Sequence, residues 1–219
     1  MKKLLQNKLF LRIDYIMSKM WDQRYAESKC IYGKKANAFF EEQLNLLSSG
    51  KILLPGEGEG RNAAYAASKG WEVDAFDYSK QAVENARVFF EKKKLDVNMY
   101  HGSILDHPSV LEKYDVLALL YLHLPSRDRI TTHYFIADSL KPGGVVVMEV
   151  FSKKQIGRNS GGPQKEDMLY DISEIRRDFH EFDISVLEEV ETHLSEGKLH
   201  DGNAMVIRFV GRKKNIWIS

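Results

Sequence analysis

Three glycines at alternate positions, Gly56, Gly58 and Gly60, stand in the run Ile52-Leu53-Leu54-Pro55-Gly56-Glu57-Gly58-Glu59-Gly60-Arg61-Asn62. A tight turn alone needs fewer. Glycine lets the backbone turn sharply and admits a ligand where a Cβ would clash. A helix head beyond such a turn offers free N–H groups to an anionic or polar ligand group. The dinucleotide fingerprint requires Gly-x-Gly-x-x-Gly; here Arg61 stands at its third glycine and Gly60 comes one residue early. The spacing therefore argues against a nicotinamide dinucleotide. Asp77 follows in Ala75-Phe76-Asp77-Tyr78-Ser79, where a carboxylate can accept two hydrogen bonds from ribose hydroxyls. His123, in Tyr121-Leu122-His123-Leu124-Pro125, is a candidate general base, because imidazole titrates near neutrality. Arg158, with Lys153 or Lys154 in the glycine-rich loop Ser152 to Asp167, is a candidate for attracting an anionic substrate, and Tyr170 is placed at the same mouth.

Positioning these groups falls to alternating elements. Residues 36–48 read as a helix, with Phe39, Phe40, Leu44 and Leu47 near helical spacing. Lys51 to Pro55 is an apolar strand. Residues 60–69 are helical and closed by Gly70. Trp71 to Phe76 is a strand, and Ser79 caps a helix reaching about Lys93. A weaker strand follows at Val97 to Tyr100. Asp115 to Leu122 reads as a strand buried on both faces. Ser126 to Leu140 is a helix ended by Lys141-Pro142-Gly143-Gly144, before a buried strand at Val145 to Phe151. A helix at 172–178 and strands at 183–194 and 203–212, joined by Ser195-Glu196-Gly197-Lys198, complete the pattern. It implies parallel βαβ units in a doubly wound α/β sheet with a C-terminal antiparallel hairpin.

The 219 residues carry 32 Lys plus Arg against 31 Asp plus Glu, a net charge of +1. That balance gives no footprint for nucleic-acid binding. The lone cysteine, Cys30, makes neither an internal disulfide nor a cysteine-based zinc site, which fits a reducing compartment. His180, His193 and His200 are too dispersed for a metal-ligand set. No apolar run approaches the ~20 residues of a membrane span. The expectation is a cytoplasmic protein, monomeric or homodimeric, without nucleic-acid or membrane partners. Residues 1–20 are set apart as an N-terminal arm, disordered or the product of an upstream start; residues 21–219 form one domain.

With its Gly-x-Gly-x-Gly turn, the chain resembles the class I S-adenosyl-L-methionine (SAM)-dependent methyltransferases over roughly residues 21 to 213. It looks most like the group that includes the tellurite-resistance and thiopurine methyltransferases. Gly56 to Asn62 is similar to the family's first motif, Asp115 to Leu122 to its fourth strand, and Leu140-Lys141-Pro142-Gly143-Gly144 to the turn before its fifth. The resemblance implies a three-layer, seven-stranded, mostly parallel sheet of Rossmann-like type. It also implies SAM as cofactor, with S-adenosyl-L-homocysteine (SAH) as product, and a small-molecule methyl acceptor. It places the cofactor on Gly56, Glu57, Gly58, Gly60, Arg61 and Asn62, on Asp77 with Tyr78 and Ser79, on Ser103 and Ile104 at the adenine edge, and on Leu120. It lays an N-terminal segment bearing Trp21, Arg24, Tyr25 and Tyr32 over the pocket. Three positions depart from the family pattern. Leu54 replaces an acid that helps hold the methionine end, a role for which Glu57 or Glu59 are the candidates. Ser103 replaces an aspartate, which leaves adenine N6 to the backbone or Asp106. Glu57 itself replaces a small residue.

Methyl transfer from a sulfonium is an in-line displacement in which proximity supplies ~7–11 kcal/mol; a base is needed only when the acceptor arrives protonated. Two alternatives stand beside this reading: a SAM-binding regulator without transfer, kept open by Leu54, and a nicotinamide-dependent oxidoreductase. A thermal-shift titration separates the last. SAH at 100-fold its Kd should stabilise the protein by ~2.7 kcal/mol, and NADH should not move the transition.

Overall fold

A computed structural model describes residues 19–27, 30–106 and 111–215. Seven strands form one sheet: β1 (Lys51–Pro55), β2 (Glu72–Asp77), β3 (Asn98–His101), β4 (Tyr114–Leu120), β5 (Leu140–Phe151), β6 (Phe182–Ser195) and β7 (Asp201–Lys213). The order across the sheet is β3-β2-β1-β4-β5-β7-β6. The pairs from β3 through to β5 are parallel, while β7 runs antiparallel to both β5 and β6.

Strand periodicity divides the core. Ile52, Leu54, Val116, Ala118, Val145 and Val147 point to one face, where they pack on helices α1 (Ala38–Leu44), α2 (Arg61–Ser68) and α3 (Lys80–Lys93). Leu53, Leu117, Leu119, Val146 and Met148 point to the other, against α4 (Ser126–Ser139) and α5 (Ile172–Asp178). Strands buried on both faces read as continuous apolar runs for this reason. The result is the expected three-layer α/β arrangement, with the switch point of the sheet between β1 and β4.

Several expected ends coincide with observed ones. Ser79 caps α3 by accepting from Ala82 N at 3.2 Å, and Asp171 and Glu174 form a capping box on α5. Two expectations change. Lys141-Pro142-Gly143-Gly144 does not stand outside the strand as a turn. It lies within β5 as an irregularity: Tyr114 pairs with Leu140, and the next pair is Val116 with Val145. The loop after β5 is also more ordered than its glycines suggest. It contains 310 turns at Lys153–Gln155 and Glu166–Met168. The buried Gln155 side chain ties it down, donating to Ser160 Oγ and Gly161 O and accepting from Met205 N at 2.8 Å. A side-chain amide that replaces missing ladder partners leaves no pattern in a single sequence.

Residues 19–27 are helical and residues 30–33 form a turn closed by Gly33 N on Cys30 O; together these two pieces are a strap across the glycine turn. The assignment of residues 1–20 to an arm lies outside the described residues except for Lys19 and Met20, which belong to this helix. Among the described residues no helix is long and apolar enough to cross a membrane.

Gly60 has φ +87°, and a Cβ there would lie 2.4 Å from Phe90 Cζ and 3.1 Å from Ala86 Cβ on α3. Left-handed backbone and overpacking each cost an alanine roughly 1–3 kcal/mol. Gly60→Ala should therefore lower the unfolding free energy by about 2–6 kcal/mol in urea titration.

Candidate functional site

The glycine turn leaves β1 under the end of β2. Gly56 N and Glu57 N donate to Phe76 O at 2.8 and 3.1 Å. Gly56, Gly58 and Gly60 all have positive φ, a region open to glycine without strain. Their missing side chains make different room: Gly56 faces the tip of Leu122, Gly58 the hydroxyl of Tyr25, and Gly60 the α3 surface.

Two buried carboxylates organise this turn. Asp77, at the end of β2, accepts from Gly58 N at 2.9 Å and from Ser79 N at 2.8 Å, one on each oxygen. Burial raises its pKa to about 6 against those two bonds. Glu57 accepts from Asn62 N at 2.7 Å and Ala63 N at 2.8 Å, with Asn62 Nδ2 at 3.3 Å. It caps α2, whose own N-cap, Gly60, has no side chain to do so. Burial pushes the Glu57 pKa up to about 7. Glu59 accepts from Cys30 N and Ile31 N, both at 2.9 Å, and pins the strap. Glu57 and Glu59 thus both serve backbone groups, while Leu54 is fully buried in the core. Neither glutamate is placed to stand in for the acid that Leu54 replaces.

Around the turn, Ser103 Oγ accepts from Leu105 N and Ile104 is buried beside Phe76 and Tyr100. Gly102 N donates to Asp77 O at 3.0 Å, bringing this loop to the end of β2. His101 Nε2 lies 3.0 Å from Tyr78 O. Leu120 closes β4. The residues expected around a nucleoside therefore gather along the C-terminal ends of β1, β2, β3 and β4, the crevice where open α/β sheets bind ligands.

The strap covers the crevice. Tyr25 is buried, stacks on Trp21 at 5.7 Å and meets Tyr32 edge-on at 6.4 Å. Arg24 lies over the Trp21 ring at 4.5 Å and reaches Tyr32 Oη. Asp22 accepts from Ser79 Oγ at 2.6 Å and from Gln81 N at 3.1 Å.

Beside it lies a charge network whose members, Arg61 apart, are absent from the site candidates named above. Asn37 Nδ2 donates to Glu149 Oε1 at 2.6 Å and to Glu196 Oε1 at 3.1 Å. Glu149 also accepts from Tyr121 Oη and Arg208 Nε, both at 2.7 Å. Glu196 accepts from Arg61 at 2.9 Å and lies 3.4 Å from His200 Nδ1. The bond from His200 and the charge of Arg61 hold the Glu196 carboxyl below its ordinary pKa although burial opposes them. Tyr121 has φ +55°, a backbone position that costs a bulky residue of order 1–3 kcal/mol and tends to mark functional sites. One signal was available in the sequence: Glu149 is a charge inside an otherwise apolar strand. Asn37, Glu196 and His200 gave none, because only the closed fold brings them together.

His123 sits at the β4 end as expected. Its Nδ1 is 3.2 Å from Met168 O, which fixes the proton on Nδ1 and leaves buried Nε2 with no partner among the described residues. Burial pushes its pKa down to about 3, so it is a hydrogen-bond acceptor and a weak base. Tyr170 donates to Leu122 O at 3.0 Å and is buried under this loop. Arg158 is not brought to the crevice. It pairs with Glu191 at 2.8 Å on edge strand β6, while Lys154 pairs with Glu189 and Lys153 with Asp171. Each of these three cations is partnered by a carboxylate.

Residues 52–144 match the family model described as methyltransferase domain. No curated protein sequence matches the chain. Among solved structures, the chain is similar to the protein studied for conversion of a disulfide bond into a thioacetal group during echinomycin biosynthesis (TM-score 0.72, 16% identity, 93% of each chain covered). It is similar to TehB from Haemophilus influenzae (TM-score 0.70, 16% identity, 82% of this chain and 63% of that one). It is also similar to a SAM-dependent methyltransferase from Methanosarcina mazei (TM-score 0.62, 15% identity, 82% and 99%). The seven-stranded Rossmann-like fold of class I methyltransferases is the fold of this chain.

Glu57 makes a test of the turn. Its carboxyl binds a proton more tightly in the folded chain, at about 7, than at its ordinary value of 4.5. Its contribution to stability is therefore largest below pH 4.5 and is lost as pH rises towards 7. Between those limits, urea titrations should show the wild type losing roughly 3 kcal/mol relative to Glu57→Gln.

Proposed function

We propose that this chain, whose residues 52–144 carry a methyltransferase domain, is a SAM-dependent methyltransferase acting on a small-molecule acceptor. The observation that carries the reading is the Asp77 carboxylate, tied to Gly58 N at 2.9 Å across the crevice of that domain. Each of its oxygens accepts one backbone N–H, which leaves a lone pair on each for a ribose hydroxyl. A carboxylate with two free acceptor sites beside three glycines in left-handed conformation fits a nucleoside.

The remaining assignments follow from position. Tyr78, Ser79, Ser103 and Ile104 stand at the nucleoside end, and Gly56, Gly58, Gly60, Arg61 and Asn62 at the turn. Leu120 and Tyr121 stand at the transfer end, where the ring of Tyr121 suits a cationic centre. SAM, when bound, supplies a methyl group on a sulfonium. This chain supplies orientation and exclusion of water: the strap lays Trp21, Tyr25 and Tyr32 over the turn, and the β6–β7 hairpin closes the far side. Exclusion of water strengthens each polar contact inside. Enclosure on both sides favours a small acceptor over a polymer.

Asp77 titrates at about 6 in the ligand-free chain, and only its ionised form accepts from both ribose hydroxyls. Isothermal titration should show the SAH Kd flat well above that value and rising towards tenfold per pH unit below it. Asp77→Asn should weaken SAH by about 10–100-fold at neutral pH, the worth of a hydrogen bond to a charged group, and flatten the pH dependence. Transfer of labelled methyl from SAM to a metabolite panel distinguishes an enzyme from a regulator that binds SAH equally well.

A further inference from the structure

The hairpin tip carries His200 over the ends of β4 and β5. Its ring centroid lies 4.5 Å from those of Tyr121 and Tyr32 and 5.3 Å from that of Phe151. Nδ1 faces Glu196 Oε2 at 3.4 Å, and the same oxygen accepts from Arg61 at 2.9 Å. A carboxylate on Nδ1 calls for the proton there and leaves Nε2 as the lone pair. The Nε2–Cδ2 edge looks at Gly161, where an added Cβ would come within 2.7 Å of Cδ2 and 3.4 Å of Nε2. Only glycine leaves room for the ring at this range, since any Cβ would press on that edge. Base, orienting carboxylate and an anchoring third group make the arrangement by which imidazole is readied to take a proton.

The charged and titratable groups around the ring are Glu196 and Arg61, Glu149 behind Tyr121, Tyr32 and Tyr121 themselves, and His123 across Phe151. Arg61 is neutralised by Glu196, and Arg208 by Glu149. Burial holds the His200 pKa below its ordinary value, so the ring is neutral at physiological pH. His123 has a carbonyl where His200 has a carboxylate, and gains no such help in carrying a positive charge.

Resting on the methyltransferase reading above, we propose that the Glu196–His200 pair takes the proton of the methyl acceptor, and that this acceptor is an uncharged X–H group rather than an anion. A lone pair on X forms the bond to the methyl carbon as the carbon–sulfur bond breaks with its electron pair going to sulfur. The X–H proton passes to His200 Nε2. The imidazolium sits against Glu196 and gives the proton to water after product leaves.

Two measurements test this. Nitrogen spectra of protein labelled with 15N-histidine should show His200 neutral and protonated on Nδ1, with Glu196→Gln shifting the tautomer; a wild-type ring protonated on Nε2 overturns the assignment. Transfer from SAM is then followed to 2-mercaptoethanol, which arrives protonated at neutral pH, and to thiophenol, which arrives largely as thiolate. His200→Asn should slow the first by about 10²–10⁴-fold, the usual worth of a positioned base, and the second far less. Glu196→Gln should follow the same pattern more weakly. Equal slowing of both thiols, no slowing of either, or a wild type that uses only thiophenol would overturn the proposal. SAH affinity serves as the control. It should stay within a few-fold in His200→Asn, whereas a wild type that fails to bind SAH would break the methyltransferase reading instead.

Discussion

One amide side chain holds two buried carboxylates in place. Asn37 uses each of its polar groups: its backbone N–H goes to Asn62 Oδ1, its Oδ1 caps α1 at Phe40 N, and its Nδ2 reaches both Glu149 and Glu196. Because Oδ1 is engaged by a donor, Nδ2 must face the carboxylates. An ionised carboxylate out of water is tolerable only when paired and hydrogen-bonded, and here Arg208 and Arg61 complete the pairing. The network therefore sets the positions of α1, the head of α2, the end of β5 and the hairpin relative to one another. The side of the candidate site next to Tyr121 rests on that arrangement.

Much of the scaffold was legible as pattern. β1 and α5 fall on the predicted residues, and the ends of α3 and α4 lie within a residue of expectation, because period, caps and glycine stops are local properties. The β5 entry was misjudged because Pro142 and Gly143 read as a turn until β4 is there to pair on either side. The loop after β5 reads only as a glycine-rich stretch because Gln155 looks like any polar loop residue until Met205 and Gly161 surround it. In the site, Asp77 and the glycines announced themselves by spacing. Glu196 and His200 could not, since their meaning comes from Arg61, Tyr121 and Tyr32, which lie far away in the chain. Arg158 shows the converse: a basic loop invited an anion, and Glu191 on the neighbouring strand had already met it.

The sheet and its ends divide the work. Residues that alternate along β1, β4 and β5 hold the layers together by apolar burial, and they are uniform in chemistry. The positions at and just past the strand ends carry the unusual features: left-handed Tyr121 and neutral His123 beyond β4, and Asp77 with an elevated pKa at the end of β2. Related folds can share the first set while differing in the second, so structural likeness at 15–16% identity speaks to the scaffold and the chemistry has to be read from the ends.

The hairpin tip meets the strap at closest range. A Cβ on Gly197 would fall 2.4 Å from Gly33 N and 2.7 Å from Ile31 O, and Gly33 in turn faces the backbone of Glu196. Two glycines let two main chains touch, one from near the start of the described chain and one from near its end. During synthesis, then, the glycine turn, Asp77 and the strap emerge early, but the strap has no hairpin to rest on until β6 and β7 have left the ribosome. A chain cut short before β6 would display the crevice without the wall that the hairpin forms.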